Sequence, residues 1–282
     1  MAVRKTSLRA PFLKRVWTDM DRLAERTGYP FDLPLVRKGV VDLLFEKPVT
    51  IIIGENGTGK STVLEAIAQG AGFGTAGGTA HHQAAEDDTD ENRRRAYADW
   101  DGPTQDALAR RLERSRMDLP LTDVLRFSWL PKTSNGFFFR AETFHRLARF
   151  LDEVGNQPGA TPPEHLKMSH AEGFIDFFTG RFERAAHSGR PTIFIFDEPE
   201  SALAPKRQIE FMTMIRALEK VGTIQFIIAT HSPLLMTYPK ADLLRLTRGS
   251  IEPCTPRQTE HFQFLKAFFD DPDGFISGYL DG

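Results

Sequence analysis

Residues 54–61 read Gly-Glu-Asn-Gly-Thr-Gly-Lys-Ser, a complete G-x-x-x-x-G-K-S run, and nothing else in the chain restricts the fold as much. Such a run is informative only between a strand and a helix. Both flanks are present: the apolar Val49-Thr50-Ile51-Ile52-Ile53 precedes it, and Thr62-Val63-Leu64-Glu65-Ala66-Ile67-Ala68, apolar at helical spacing, follows. Glycines let successive backbone N–H groups turn inward toward one anion. The start of the following helix adds its positive end. The pattern predicts a phosphate cradle formed by Gly54, Glu55, Asn56, Gly57, Thr58, Gly59, Lys60, Ser61 and Thr62. Lys60 is expected to reach the β- and γ-phosphates of a nucleotide, and Ser61 to hold Mg²⁺ through its hydroxyl.

Two later segments supply what such a cradle lacks. Ile193-Phe194-Ile195-Phe196-Asp197-Glu198 is a buried-strand run ending in two carboxylates. Asp197 at that strand end is expected to hold Mg²⁺ through its water shell. Side chains alternate along a strand, so Glu198 points elsewhere and is placed to take a proton from a water attacking the γ-phosphate. Phe226-Ile227-Ile228-Ala229-Thr230-His231-Ser232 is a further apolar strand with His231 just past its end. Ligands of open α/β sheets gather outside such ends, so His231 is expected to contact the γ-phosphate and order the water and Glu198.

The 282 residues suffice for one large α/β domain or two small ones. Hydrophobic residues at 40% and charged residues at 26% describe an ordinary globular chain, and a net charge of −2 gives no global signal for nucleic acid. No apolar stretch reaches bilayer-crossing length. Residues 1–17 are basic but lack the apolar core of a signal peptide. A single cysteine, Cys254, excludes an intrachain disulfide and fits a reducing compartment. A cytoplasmic location is the resulting expectation.

Along the chain, extended segments are expected near Ser7–Val16 and Val40–Phe45, with Pro30 and Pro34 interrupting any long helix. Residues 75–118, glycine-rich and then acidic, basic and arginine-rich, read as a mobile insertion. Strands are expected at Leu125–Leu130 and Phe137–Arg140, a helix at Ala141–Val154 and a linker at Gly155–Pro163. A helix carrying Phe174, Phe178 and Phe182 precedes the strand Thr192–Phe196. Another opens near Pro205 with Phe211, Ile215 and Leu218 on one side, before the strand Ile224–Ala229. The tail from Leu243 reads as a short β segment followed by helices at Gln258–Phe269 and Asp273–Leu280. Alternating strands and helices predict an α/β sheet. Most of the 23 phenylalanines are expected in the core.

Taken together, these segments resemble the ABC-type ATPase heads. The resemblance rests on Gly54-Glu55-Asn56-Gly57, on Asp197-Glu198-Pro199 with Ser201-Ala202-Leu203, and on Thr230-His231-Ser232. Within that superfamily the chain is similar to small free-standing bacterial ATPases, often labelled AAA family, that look related to SMC heads. Those features are Phe137–Phe144, Ser169-His170 with Glu172, Asp197–Glu200 and Gln225–Pro233. The resemblance implies one domain over residues 1–282. Its parts would be a β-rich part with the phosphate loop (1–74), the insertion (75–118), a helical signature subdomain (119–190) and a C-terminal part (191–282).

The family's signature segment, Leu-Ser-Gly-Gly-Gln, corresponds here to Met168-Ser169-His170-Ala171-Glu172, with His170 and Ala171 in place of the two glycines. By that likeness, Ser169 and the N–H of Ala171 contact the γ-phosphate in a second copy. Ala204 stands where the family has an acidic residue. Arg140 or Glu142 is expected near the family's glutamine loop. The implied function is ATP hydrolysis, with ATP and Mg²⁺ bound and a homodimer closing face to face on two nucleotides. A nuclease or DNA is the implied partner, in DNA repair or anti-phage defence. Two other readings are an ATPase subunit of a membrane transporter and a nucleotide-gated scaffold with little hydrolysis. A guanine-reading Asn-Lys-x-Asp is absent from the sequence, as are the heptads of a long SMC arm between Lys60 and Asp197.

Overall fold

The computed structural model describes residues 8–74, 121–141 and 170–280. The chain opens with β1 (Leu13–Thr18), the short helices α1 (Met20–Ala24) and α2 (Pro34–Arg37), β2 (Asp42–Leu44) and β3 (Val49–Ile53). The helix α3 (Lys60–Ala71) follows, then β4 (Leu125–Trp129) and β5 (Gly136–Arg140). After α4 (His170–Ser188) come β6 (Thr192–Asp197), α5 (Pro205–Glu219) and β7 (Ile224–Ala229). The chain finishes with β8 (Asp242–Leu246), β9 (Ile251–Pro253), α6 (Glu260–Asp270) and α7 (Pro272–Leu280).

Six strands form the main sheet in the order β5-β6-β7-β3-β8-β9, parallel except for β9. Parallel strands are covered on both faces and so read as continuous apolar runs. Every residue of β3, β6 and β7 is buried. A second, antiparallel sheet of order β2-β1-β4 lies beside it. The side chain of Gln225, fully buried in β7, ties the chain entering β1 to the main sheet. Its Oε1 accepts from the N–H groups of Phe12 and Leu13 at 2.8 and 2.9 Å, and its Nε2 donates to the Leu13 carbonyl. A buried amide paired on both ends avoids the desolvation cost that an unpaired one would carry.

The alternation of side chains sorts two cores. Phe138, Ile193, Ile195, Ile227 and Ile52 face α3 and the second sheet. Phe137, Phe139, Phe194, Phe196 and Phe226 face α4 and α5, where Phe174, Phe178, Phe182 and Phe211 meet them. Adjacent rings lie edge to face, as Phe139–Phe174 at 4.9 Å and Phe196–Phe211 at 5.0 Å. Such pairs add roughly 0.5–1.5 kcal/mol each beyond the area they bury.

The strands and helices expected after residue 121 are present where described, with ends moved by a few residues. Pro205 is the first residue of α5, and Phe211, Ile215 and Leu218 form its buried side. The N-terminal part departs further from expectation. Of the extended segment placed at Ser7–Val16, Ser7 lies outside the described residues, and the strand runs instead over Leu13–Thr18, where the ladder with β4 forms. Two short helices interrupt this part, α1 capped by the Asp19 carboxylate, which accepts from the Arg22 N–H. The insertion at 75–118, the linker at Gly155–Pro163 and the helix expected from Ala141 (beyond that residue) lie outside the described residues.

Candidate functional site

Four consecutive parallel strands deliver their carboxyl ends to one edge of the sheet. β3 runs into the phosphate loop, β6 ends at Asp197, β7 leads to Thr230-His231, and β5 ends at Arg140. This is the edge at which open α/β sheets bind ligands.

The loop has the backbone its sequence predicts. Gly57 and Gly59 take φ of +75° and +97°, left-handed values that other residues adopt only with strain. At Gly59 a side chain would also meet the Leu35 methyl Cδ2 at 2.5 Å. Lys60 is only 5% exposed, and its ammonium donates to the carbonyls of Gly54 and Glu55 at 2.8 and 3.0 Å. Burial lowers its pKa, against the opposing pull of Glu198, Asp197 and Glu200. The next residue, Ser61, donates its hydroxyl to Asp197 Oδ1 at 3.1 Å across 136 residues of sequence. Thr62, one position further into α3, meets the hydroxyl of Tyr29 at 3.2 Å.

Asp197 is 6% exposed, whereas the side chain of its neighbour Glu198 is 39% exposed. The two carboxylates differ in exposure as expected, but not through strand alternation, because the strand ends at Asp197 and Glu198 already belongs to the turn that follows. Glu198 has φ 52° and ψ 52°, a left-handed conformation for a residue with a side chain. Such strain costs about 1–3 kcal/mol and persists only where the surroundings enforce it. It turns the Glu198 carboxylate toward His231, whose Nε2 lies 3.6 Å from Glu198 Oε1. That Nε2 is buried and has no hydrogen-bond partner, an open polar atom aimed into the site. Burial, and next to it the Lys60 charge, lower the His231 pKa and favour its neutral form. A neutral imidazole can donate from one nitrogen and accept at the other. The ring of His261, from the first turn of α6, lies 5.6 Å from that of His231.

Two residues with no role in the sequence reading hold this geometry. Glu200, in the turn after β6, accepts the His231 backbone N–H on Oε1 at 2.6 Å. Its Oε2 is buried without a hydrogen-bond partner, and burial raises its pKa while the bond from His231 opposes the rise. Gln208 of α5 accepts the Ser232 hydroxyl at 2.5 Å, and that hydroxyl in turn accepts from the N–H groups of Leu234 and Leu235. No local pattern marks either contact, which spans 31 residues for Glu200 and 24 for Gln208. Glu200→Ala is expected to leave the His231 N–H unsatisfied and to cost about 1–3 kcal/mol in chemical denaturation. Glu200→Gln keeps an acceptor and is expected to lose less than half of that. Equal losses would show that the Glu200 charge, rather than its hold on the histidine loop, matters there.

The residues expected to hold a nucleotide are thus contiguous. Lys60, Ser61, Asp197, Glu198 and His231 form one cluster, and the donor set suits a phosphate with a hard divalent cation: one ammonium, one hydroxyl and carboxylate oxygens. Ser169 lies outside the described residues, and Ala171 is in the first turn of α4. Of the two candidates for the glutamine loop, Arg140 is at this edge and Glu142 is not described.

Two family models match the sequence. One is described as an AAA domain, a proposed AbiEii toxin of a type IV TA system, and covers residues 172–237. The other is an AAA domain covering residues 36–99. The chain thus matches AAA-domain models over these two stretches, and its fold is an α/β one around a largely parallel six-stranded sheet. No curated protein matches it in sequence. Among solved structures it is similar to cbiO1 of Clostridium perfringens, part of the ABC transporter complex cbiONQ. Identity there is 12%, over 94% of this chain and 98% of that one, with a TM-score of 0.45. The SMC head domain of Thermotoga maritima is 16% identical over 86% of this chain and 99% of that one, with a TM-score of 0.43. An SMC head bound to the C-winged helix domain of ScpA is 14% identical over 87% and 98%, with a TM-score of 0.45. No helix among the described residues is long and apolar enough to cross a membrane.

Proposed function

We infer that this chain is an ATP hydrolase whose two copies close face to face on two nucleotides. The observation that carries the inference is the contact of Ser61 with Asp197, beside the buried Lys60 and the Glu198–His231 pair. Backbone N–H groups of residues 54–61 and the Lys60 ammonium bind the phosphates of ATP. Ser61 and Asp197 would hold Mg²⁺, which supplies charge neutralisation at the β- and γ-phosphates. Glu198 orients a water and accepts its proton. His231 keeps that carboxylate and the γ-phosphate in register, and Glu200 keeps His231 in place. The signature residues Ser169 and Ala171 act on the nucleotide of the other copy, so hydrolysis releases the pair and converts phosphate loss into motion. The output of that motion is a nuclease or DNA partner, in repair or anti-phage defence, and the AAA match to an AbiEii-type model agrees with a defence role.

The test is binding of a fluorescent ATP analogue, with sedimentation in its presence and absence. Wild-type protein is expected to bind and to shift toward dimer. Lys60→Ala is expected to lose binding by at least about a hundredfold while keeping its circular dichroism, since a buried charge-assisted contact to phosphate is removed. Wild-type protein that binds no analogue would end the hydrolase reading. Binding without any change in sedimentation would end the paired-head reading alone.

A further inference from the structure

The phosphate-binding helix and the two strands at the far side of the sheet share one face, and a single arginine joins them. Arg140 is paired in register with Asp197 across β5 and β6, so both emerge at the same level of the sheet edge. Their alternation matches that of Phe138, Ile193 and Ile195, which face α3. On α3, Ser61 and Glu65 are four residues apart and therefore lie one above the other. Ser61 bonds to Asp197 Oδ1 at 3.1 Å. Glu65 Oε2 accepts from Arg140 Nη1 at 3.2 Å, and Arg140 Nε lies 3.8 Å from Asp197 Oδ2. One guanidinium thus bridges two carboxylates, and it faces the Asp197 oxygen that Ser61 does not engage.

Asp197 is nearly buried, so its charge needs a counter-ion in the low-dielectric edge of the sheet. Arg140 supplies part of that charge, beside the Lys60 ammonium. A divalent cation arriving with nucleotide has to use the same carboxylate, and two cations a few ångströms apart repel strongly where water is scarce. Glu65, which already accepts from Arg140 Nη1, holds the guanidinium at the site when it leaves Asp197.

We propose that Arg140 is a positioning residue that stands in for the divalent cation at Asp197, and that it gives up this contact while keeping its bond to Glu65 when cation-loaded nucleotide binds. Linkage makes the relation reciprocal: whatever strengthens the Arg140–Asp197 contact weakens the benefit of the cation, and the converse holds. The proposal rests on the nucleotide-binding reading above.

The experiment titrates a fluorescent ATP analogue into the full chain with Mg²⁺ and with EDTA, and reads the ratio of the two dissociation constants. In Arg140→Gln the cation facing Asp197 Oδ2 is gone, so the gain from Mg²⁺ is expected to rise about five- to tenfold over wild type, the lower part of the usual range for coupled sites. Arg140→Lys, which keeps the charge, is expected to stay nearer wild type. Glu65→Gln removes the carboxylate that draws the guanidinium away from Asp197, so the gain from Mg²⁺ is expected to fall below wild type. An unchanged or smaller gain in Arg140→Gln would overturn the proposal. So would a shift of both neutralising variants in the same direction. If Arg140→Gln does not fold, Glu65→Gln decides the matter, and a gain at or above wild type refutes it. Absence of any binding by wild-type protein would instead take down the nucleotide-binding reading, and this proposal with it.

Discussion

Replacing Glu198 with glutamine is expected to slow ATP turnover by about 10²–10⁴-fold, the contribution of a positioned general base, while binding of ATP stays within a few-fold of wild type. In the proposed function the carboxylate takes part after binding, and the phosphates would be gripped by the loop, Lys60 and the Ser61–Asp197 pair. Glutamine has nearly the same shape, so the left-handed backbone at φ 52° and the approach to His231 at 3.6 Å are retained. An amide cannot take the proton. Unhydrolysed ATP then keeps the pair closed, and the paired form is expected to accumulate in sedimentation with ATP and Mg²⁺. Glu198→Gly separates chemistry from structure. Glycine relieves the left-handed strain, so this variant is expected to match or exceed wild type in thermal stability yet lose turnover as fully. Wild-type turnover in either variant would remove Glu198 from the chemistry. A marked loss of stability in the glycine variant would show that its side chain has a packing role as well.

The second large effect is on stability. Phe196→Ala is expected to cost about 3–5 kcal/mol in chemical denaturation, the usual range for removing a buried aromatic ring. Phe196 is fully buried, one residue before Asp197, with the rings of Phe178 and Phe211 both centred 5.0 Å away and that of Phe139 at 5.9 Å. These neighbours come from β5, α4 and α5, three elements that cannot all close on the gap at once. Part of the cost is therefore the cavity left behind, in addition to the lost transfer free energy. Phe196→Leu, which fills more of the space, is expected to lose less than half as much. A loss below about 1 kcal/mol for alanine would mean that the phenylalanine cluster repacks freely, against the close packing usual in protein cores.

The two effects have different origins in the sequence. That Asp197 and Glu198 stand at the end of a buried strand could be read from six consecutive residues, but the direction of Glu198 is set by its left-handed backbone past the strand end, which alternation does not foresee. The same alternation separates Phe194 and Phe196 from Ile193 and Ile195. It does not say which layer receives which set. That β1 begins at Leu13 follows from its pairing with β2 and β4 and from the Gln225 side chain, over 200 residues away.

What the sequence determined by itself is the chemistry that fits within a contiguous run. It marks a glycine loop between strand and helix, carboxylates at the end of a buried strand, and a histidine past the end of another. Each is set by local backbone geometry, so spacing along the chain is enough. The meeting of these pieces, and the residues that hold them, were decided only by the tertiary structure. Ser61 reaches Asp197, Arg140 bridges Asp197 and Glu65, and Glu200 holds the His231 backbone because strands distant in sequence are placed side by side in fixed register. A lone arginine or glutamate carries no periodic signal. Its role comes from strand order and from burial that leaves each charge needing a partner.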